Sequence, residues 1–96
     1  MVKIYKYEID PYGICKHVDR FLGVLKAGWQ GDRLYAWCLI GDKNVKESEM
    51  TFFSLPTGYE FYYIDNMHYL DSVKDGDYVW HIFFALNVDD CSRKLS

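Results

Sequence analysis

The side chains with chemistry in them are few. They are the histidines His17, His68 and His81 and the cysteines Cys15, Cys38 and Cys91. His81 stands between Trp80 and Ile82 in a bulky apolar run. A histidine with an ordinary pKa of about 6.5 could serve there as a general base, and a small hydrolase built on His81 is one reading. The other is a core histidine tied to a carbonyl or carboxylate. Cys15, His17 and Asp19 form a Cys-x-His-x-Asp run with the composition of metal ligands. Zinc needs four ligands, or three and a water, and no second cluster follows, so no metal site is expected. Cys38 paired with His81 would make a thiol and imidazole couple, but Cys38 lies inside an apolar run with no glycine-rich elbow to activate it. Hydrolase, zinc-protease, phosphate-loop and dinucleotide signatures are absent, so no catalytic residue and no cofactor is assigned. Asp75 and Asp77 flank Gly76 as a tight turn requires; a calcium loop would need more oxygen ligands in register.

The aromatics are more informative. Trp29, Tyr59, Phe61, Tyr62 and Tyr63 fall in stretches that read as loops or edges, and with His81 they are the candidate partner- or ligand-binding residues. Aromatic loops stack on bases or anchor protein interfaces. They also fold back over open sheet faces. Lys and Arg are scattered singly and the net charge is −3, so a phosphate backbone has no basic stripe to bind and nucleic acid is not an expected partner.

These residues must be held by strands. Residues 2–9 are rich in Val, Ile and Tyr and end at Asp10-Pro11-Tyr12-Gly13, a turn cluster. Residues 14–20 fit a short helical turn or a loop. Residues 21–27 and 33–40 are two apolar runs around Gly28, Gly31 and Asp32, which predicts a hairpin with a loop of about four to six residues. In the second run Leu34, Ala36, Cys38 and Ile40 share one face and Tyr35, Trp37 and Leu39 the other. Both faces are apolar, which predicts a central strand covered on both sides, with Trp37 in a core. Residues 49–55 and 68–73 read as strands and 60–67 as a surface crossing. Residues 78–86 form the strongest strand and place Trp80 in the core. Helical periodicity is nowhere convincing. About six strands predict an all-β domain: a small antiparallel sheet, a sandwich or a partly open barrel.

Ninety-six residues allow one domain, read as residues 1–86 with a polar tail over 87–96. An odd cysteine count without CxxC spacing points to free thiols and a reducing compartment. No signal peptide or long apolar span is seen, so a cytoplasmic protein without membrane partners is expected. Open sheet edges predict a two-fold homodimer through residues 59–63 or the outer edge of residues 1–9.

Four stretches carry a family resemblance: Lys3-Ile4-Tyr5-Lys6-Tyr7, Ala36-Trp37-Cys38-Leu39-Ile40, Pro56-Thr57-Gly58 and Val79-Trp80-His81-Ile82-Phe83. In this order and spacing the chain resembles a family of short tailed-bacteriophage and prophage proteins with no assigned activity. The resemblance runs from about Lys3 to Phe84; residues 60–65 and 87–96 depart from it. It implies a phage origin and a life in the cytoplasm of the infected bacterium. The expected function is then that of a non-enzymatic accessory protein that binds and modulates a host bacterial protein, a defence-system protein among the candidates. The alternative is an oligomer that binds or sequesters a small, nucleotide-like ligand in an aromatic pocket with Lys or Arg at its mouth.

Overall fold

The computed structural model describes residues 1–88, and those residues form an all-β sandwich of two antiparallel sheets. Seven strands follow in chain order: β1 (Lys3–Glu8), β2 (Ile14–Asp19), β3 (Phe21–Gln30), β4 (Arg33–Ile40), β5 (Ser48–Pro56), β6 (His68–Asp75) and β7 (Tyr78–Leu86). One sheet has the order β1-β4-β3 and the other β2-β5-β7-β6. The expected polar tail lies almost wholly outside the described residues, and so does Cys91. Among the described residues no helix is long and apolar enough to cross a membrane.

The count is seven rather than about six because residues 14–19 are a strand, not a helical turn or loop. Ile14, Lys16 and Val18 point to one side of β2 and Cys15, His17 and Asp19 to the other, so neither side shows the run of apolar residues that marks a strand in sequence. Pairing fixes it: β2 lies in unbroken register against β5, from Ile14 opposite Phe53 to Asp19 opposite Ser48. The three candidate metal ligands are thereby used locally. The Asp10 amide donates to Cys15 Sγ at 3.3 Å, His17 Nε2 lies 2.8 Å from the Glu8 carbonyl oxygen, and Asp19 accepts from the Tyr7 hydroxyl. The chain then changes sheets at Arg20, whose Nη1 donates to the Val45 carbonyl at 2.7 Å.

The β3–β4 hairpin closes more tightly than its sequence predicts. Its strands run to Gln30 and from Arg33, which leaves only Gly31 and Asp32 in the turn. Gly31 has φ of +66° at the first central position, and Gly76 has +63° at the same place in the β6–β7 turn. Glycine takes that left-handed conformation without a Cβ clash. Gly28 and Trp29 therefore belong to β3 and not to a loop.

The inter-sheet core takes Leu34, Ala36, Cys38 and Ile40 from β4, Met50 and Phe52 from β5, Val73 from β6 and Ile82 from β7. The β4 face predicted from the alternation is thus correct. The prediction for its other face is not: Tyr35, Trp37 and Leu39 are half-buried, because β4 is central in its sheet but no third layer covers that side. Lysines cover part of it instead. Lys6 Nζ lies 4.5 Å from the Tyr35 ring centre and Lys26 Nζ 5.7 Å from that of Trp37. Trp80 faces inward yet is also only half-buried, at one end of the sandwich, with Tyr12 edge-on against it at 5.1 Å.

Candidate functional site

The outward face of the four-stranded sheet is as apolar as its inward face. Along β5, Met50 and Phe52 enter the core while Thr51, Phe53 and Leu55 point away from it. Cross-strand pairing extends this into rows: Lys16 opposite Thr51 and Thr51 opposite Ala85, then Ile14 opposite Phe53 and Phe53 opposite Phe83. A face of this composition drives the chain to cover it. Residues 57–67, the link from β5 to β6, cross it.

Several contacts pin the crossing segment. The Thr57 amide donates to the Val79 carbonyl at 3.2 Å, and Asn66 Nδ2 donates to the Leu86 carbonyl at 2.7 Å. Between these ends the Phe61 ring centre lies 5.8 Å from that of Phe83. Met67 is only 3 % exposed, and its carbonyl accepts from the Tyr63 hydroxyl at 2.7 Å. Gly58, with φ of +88°, starts the crossing where a side chain would be strained.

The segment arches rather than lying flat. A cavity of about 540 Å³ stays open beneath it, walled by Ile14, Phe53, Leu55, Phe61, Ile64 and Met67. That volume falls within the usual range for small-molecule sites. Thr51, Lys16 and Glu60 are polar lining residues, and Tyr59 and Tyr62 add phenol hydroxyls. Thr51 is 1 % exposed and its Oγ1 has no hydrogen-bond partner among the described residues. Lys16 pairs with Glu49 at 3.5 Å, both side chains being more than a third exposed.

A smaller hollow of about 270 Å³ adjoins it around His81. There Tyr69 OH and Ser72 Oγ are 2.7 Å apart, Ser72 Oγ lies 2.9 Å from His81 Nδ1, and His81 Nε2 lies 2.7 Å from Thr57 Oγ1. Both imidazole nitrogens are therefore taken by hydroxyls. A hydroxyl can donate or accept, so the contacts hold whichever ring nitrogen carries the hydrogen. A hydrolytic Ser and His pair would need a group that orients the imidazole. Here the nitrogen opposite Ser72 meets the Thr57 hydroxyl and not a carboxylate, and the nearby Asp71 Oδ1 accepts the Ser72 amide at 2.9 Å.

Both sheets, the crossing segment and the two hollows lie within residues 1–89, the stretch that matches a domain-family model. The chain belongs to the DUF7352 family. That family is described as a domain of unknown function. No curated protein and no solved structure matches the chain.

In this DUF7352 domain the sequence-predicted candidates separate into groups. Tyr59, Phe61 and Tyr62 line the larger cavity, while Tyr63 turns back to hold Met67. His81 belongs to the smaller hollow, which Tyr59 and Phe61 also border. Trp29 is elsewhere: its ring packs against the inter-sheet core and its Nε1 donates to the Lys74 carbonyl at 2.7 Å, so it ties β3 to β6. Cys38 is buried, and loss of water pushes its thiol up to about 12, far from a nucleophile's range. Sequence reasoning missed Thr51 and Lys16. The available signal was a threonine placed between Met50 and Phe52 in a strand whose middle is mostly apolar on both faces.

Proposed function

We propose that this DUF7352 domain is a non-enzymatic binding module whose site is the cavity beneath residues 57–67. The observation that carries this reading is the buried Thr51 hydroxyl with no partner, in the wall of a mostly apolar cavity. Buried polar groups are nearly always hydrogen-bonded, and each exception calls for an explanation; among the described residues the other is Trp80 Nε1, which does not line the cavity. A concave pocket with one lysine at its mouth fits a small ligand better than it fits a flat protein interface. The phage origin implied by the strand motifs, and a role inside the infected bacterium, belong to this proposal.

Native mass spectrometry of the full chain purified from bacterial cells tests it. The expected spectrum shows a species heavier than the polypeptide by the mass of one small molecule, which denaturation removes. A bare polypeptide mass that no apolar probe can shift would contradict the reading.

One observation favours a protein partner as a second reading. Tyr59, Tyr62 and Tyr63 are 58 %, 67 % and 65 % exposed along the crossing segment. Tyrosine is enriched among residues that dominate interface energies. On this reading a Tyr59→Ala, Tyr62→Ala double variant loses a host protein that the parent chain captures, while its small-ligand content stays the same.

A further inference from the structure

The polar groups of the cavity also select a ligand class. We propose that it takes an apolar monocarboxylate, with the tail among Phe53, Leu55, Phe61 and Met67 and the head held by Thr51 and Lys16. This rests on the binding reading above and goes further by fixing the head group.

Thr51 and Lys16 are directly opposite in the β2–β5 register. Such neighbours hold their Cβ atoms about 5 Å apart, so one small head group can meet both side chains once the wall over the buried Thr51 hydroxyl gives way. The Thr51 hydroxyl is a donor in need of an acceptor. The Lys16 ammonium has three donors, and its single, half-exposed pair with Glu49 uses one of them. A carboxylate offers two oxygens to these two donors, and hydrogen bonds to an ionised group are the stronger kind. Apart from Glu60 and the Tyr59 and Tyr62 hydroxyls the remaining wall is hydrocarbon and aromatic carbon, which asks for an apolar tail.

The surrounding carboxylates limit the charge. Glu60 lines the cavity and Glu49 sits on Lys16, so one cation stands against two anions. Against that background each negative charge on a ligand adds repulsion, so a singly charged head group that hydrogen-bonds Lys16 is disfavoured less than a doubly charged phosphate. This argues for a carboxylate over the nucleotide-like ligand that the sequence admits.

Calorimetric titration of the full chain with octanoate and with octanol tests the assignment. Octanoate should bind about tenfold more tightly, the margin that one charge-assisted hydrogen bond provides. Thr51→Val and Lys16→Met should each remove most of that margin and leave octanol affinity unchanged. Thr51→Val should also raise the melting temperature of the ligand-free chain by a few degrees, because it deletes an unsatisfied buried hydroxyl at nearly constant volume. A merely structural threonine would move the other way. Lys16 is exposed, so Lys16→Met keeps the test open if Thr51→Val folds poorly. Equal binding of both probes, indifferent to either substitution, overturns the carboxylate assignment and leaves the cavity as an apolar site. Binding of neither probe at millimolar concentration overturns the binding reading itself.

Discussion

The two outer faces of the sandwich answer one problem in different ways. Both carry large apolar residues that a two-layer sandwich leaves without a facing sheet: Tyr35, Trp37 and Leu39 on one, Phe53, Leu55 and Phe83 on the other. On the three-stranded sheet the cover comes from lysine side chains, whose stems and charges lie over the rings of Tyr35 and Trp37. On the four-stranded sheet it comes from the chain itself, through residues 57–67. Lysines leave the surface open and flat. A crossing segment makes a second, small core around Met67 and, where it arches, a cavity. The difference teaches that an apolar outer strand face becomes a site only when backbone crosses it at a distance.

Deleting a buried side chain should expose the largest gap between the faces. Met67→Ala should cost about 2–5 kcal/mol, the usual penalty for a buried methionine. Leu25, a half-exposed bulge residue of β3, should change stability by no more than about 0.5 kcal/mol when replaced by Ala. Urea denaturation measures both, and equal costs would mean that the crossing segment is not packed as a core.

Trp37 sharpens the comparison at intermediate size. Had the strand been covered on both sides, Trp37→Ala would cost about 3–5 kcal/mol. With one open face it should cost no more than about 2 kcal/mol, and Lys26→Ala about 0.5–1 kcal/mol through the lost cation–π contact. A full core penalty at Trp37 would show that something covers the three-stranded sheet in solution.

Much of this was legible in the chain, and the failures have physical causes. Gly31-Asp32 and Gly76-Asp77 announce their turns because only glycine takes the required φ cheaply. The inward face of β4 follows from strict alternation. The cover on its outward face did not follow, because an apolar pattern states a need for cover without naming what supplies it. β2 stayed hidden because its inward residues are Cys15, His17 and Asp19, polar groups that serve the neighbouring 8–10 backbone and Tyr7. Residues 59–63 stood out by composition, yet among the described residues the one buried hydroxyl in the cavity wall without a partner belongs to Thr51. Its lack of a partner is a property of three dimensions alone.

The layer common to both faces gives the smallest effect at neutral pH. Cys38 is buried between the sheets, and burial raises its thiol to about 12. Cys15 is half-buried and raised less, again mainly by burial. At pH 8 a thiol reagent should therefore modify Cys15 well before Cys38, whose rate should track opening of the sandwich. Because the folded value lies above the ordinary value of about 9, the Cys38 contribution to stability is complete below pH 9 and is lost as pH rises toward 12. Chemical denaturation between pH 8 and 11 checks the sign; stability that rose across that range would contradict it.

The central claim is that the covered face binds and the lysine-covered face does not. Amide chemical shifts of the isotope-labelled chain, followed during titration with octanoate, test it most directly. The account predicts saturable shifts concentrated at Lys16, Thr51, Phe53, Phe61 and Met67, with Tyr35, Trp37 and Leu39 unmoved. Shifts centred on Tyr35, Trp37 and Leu39, or spread evenly over both faces, would contradict it.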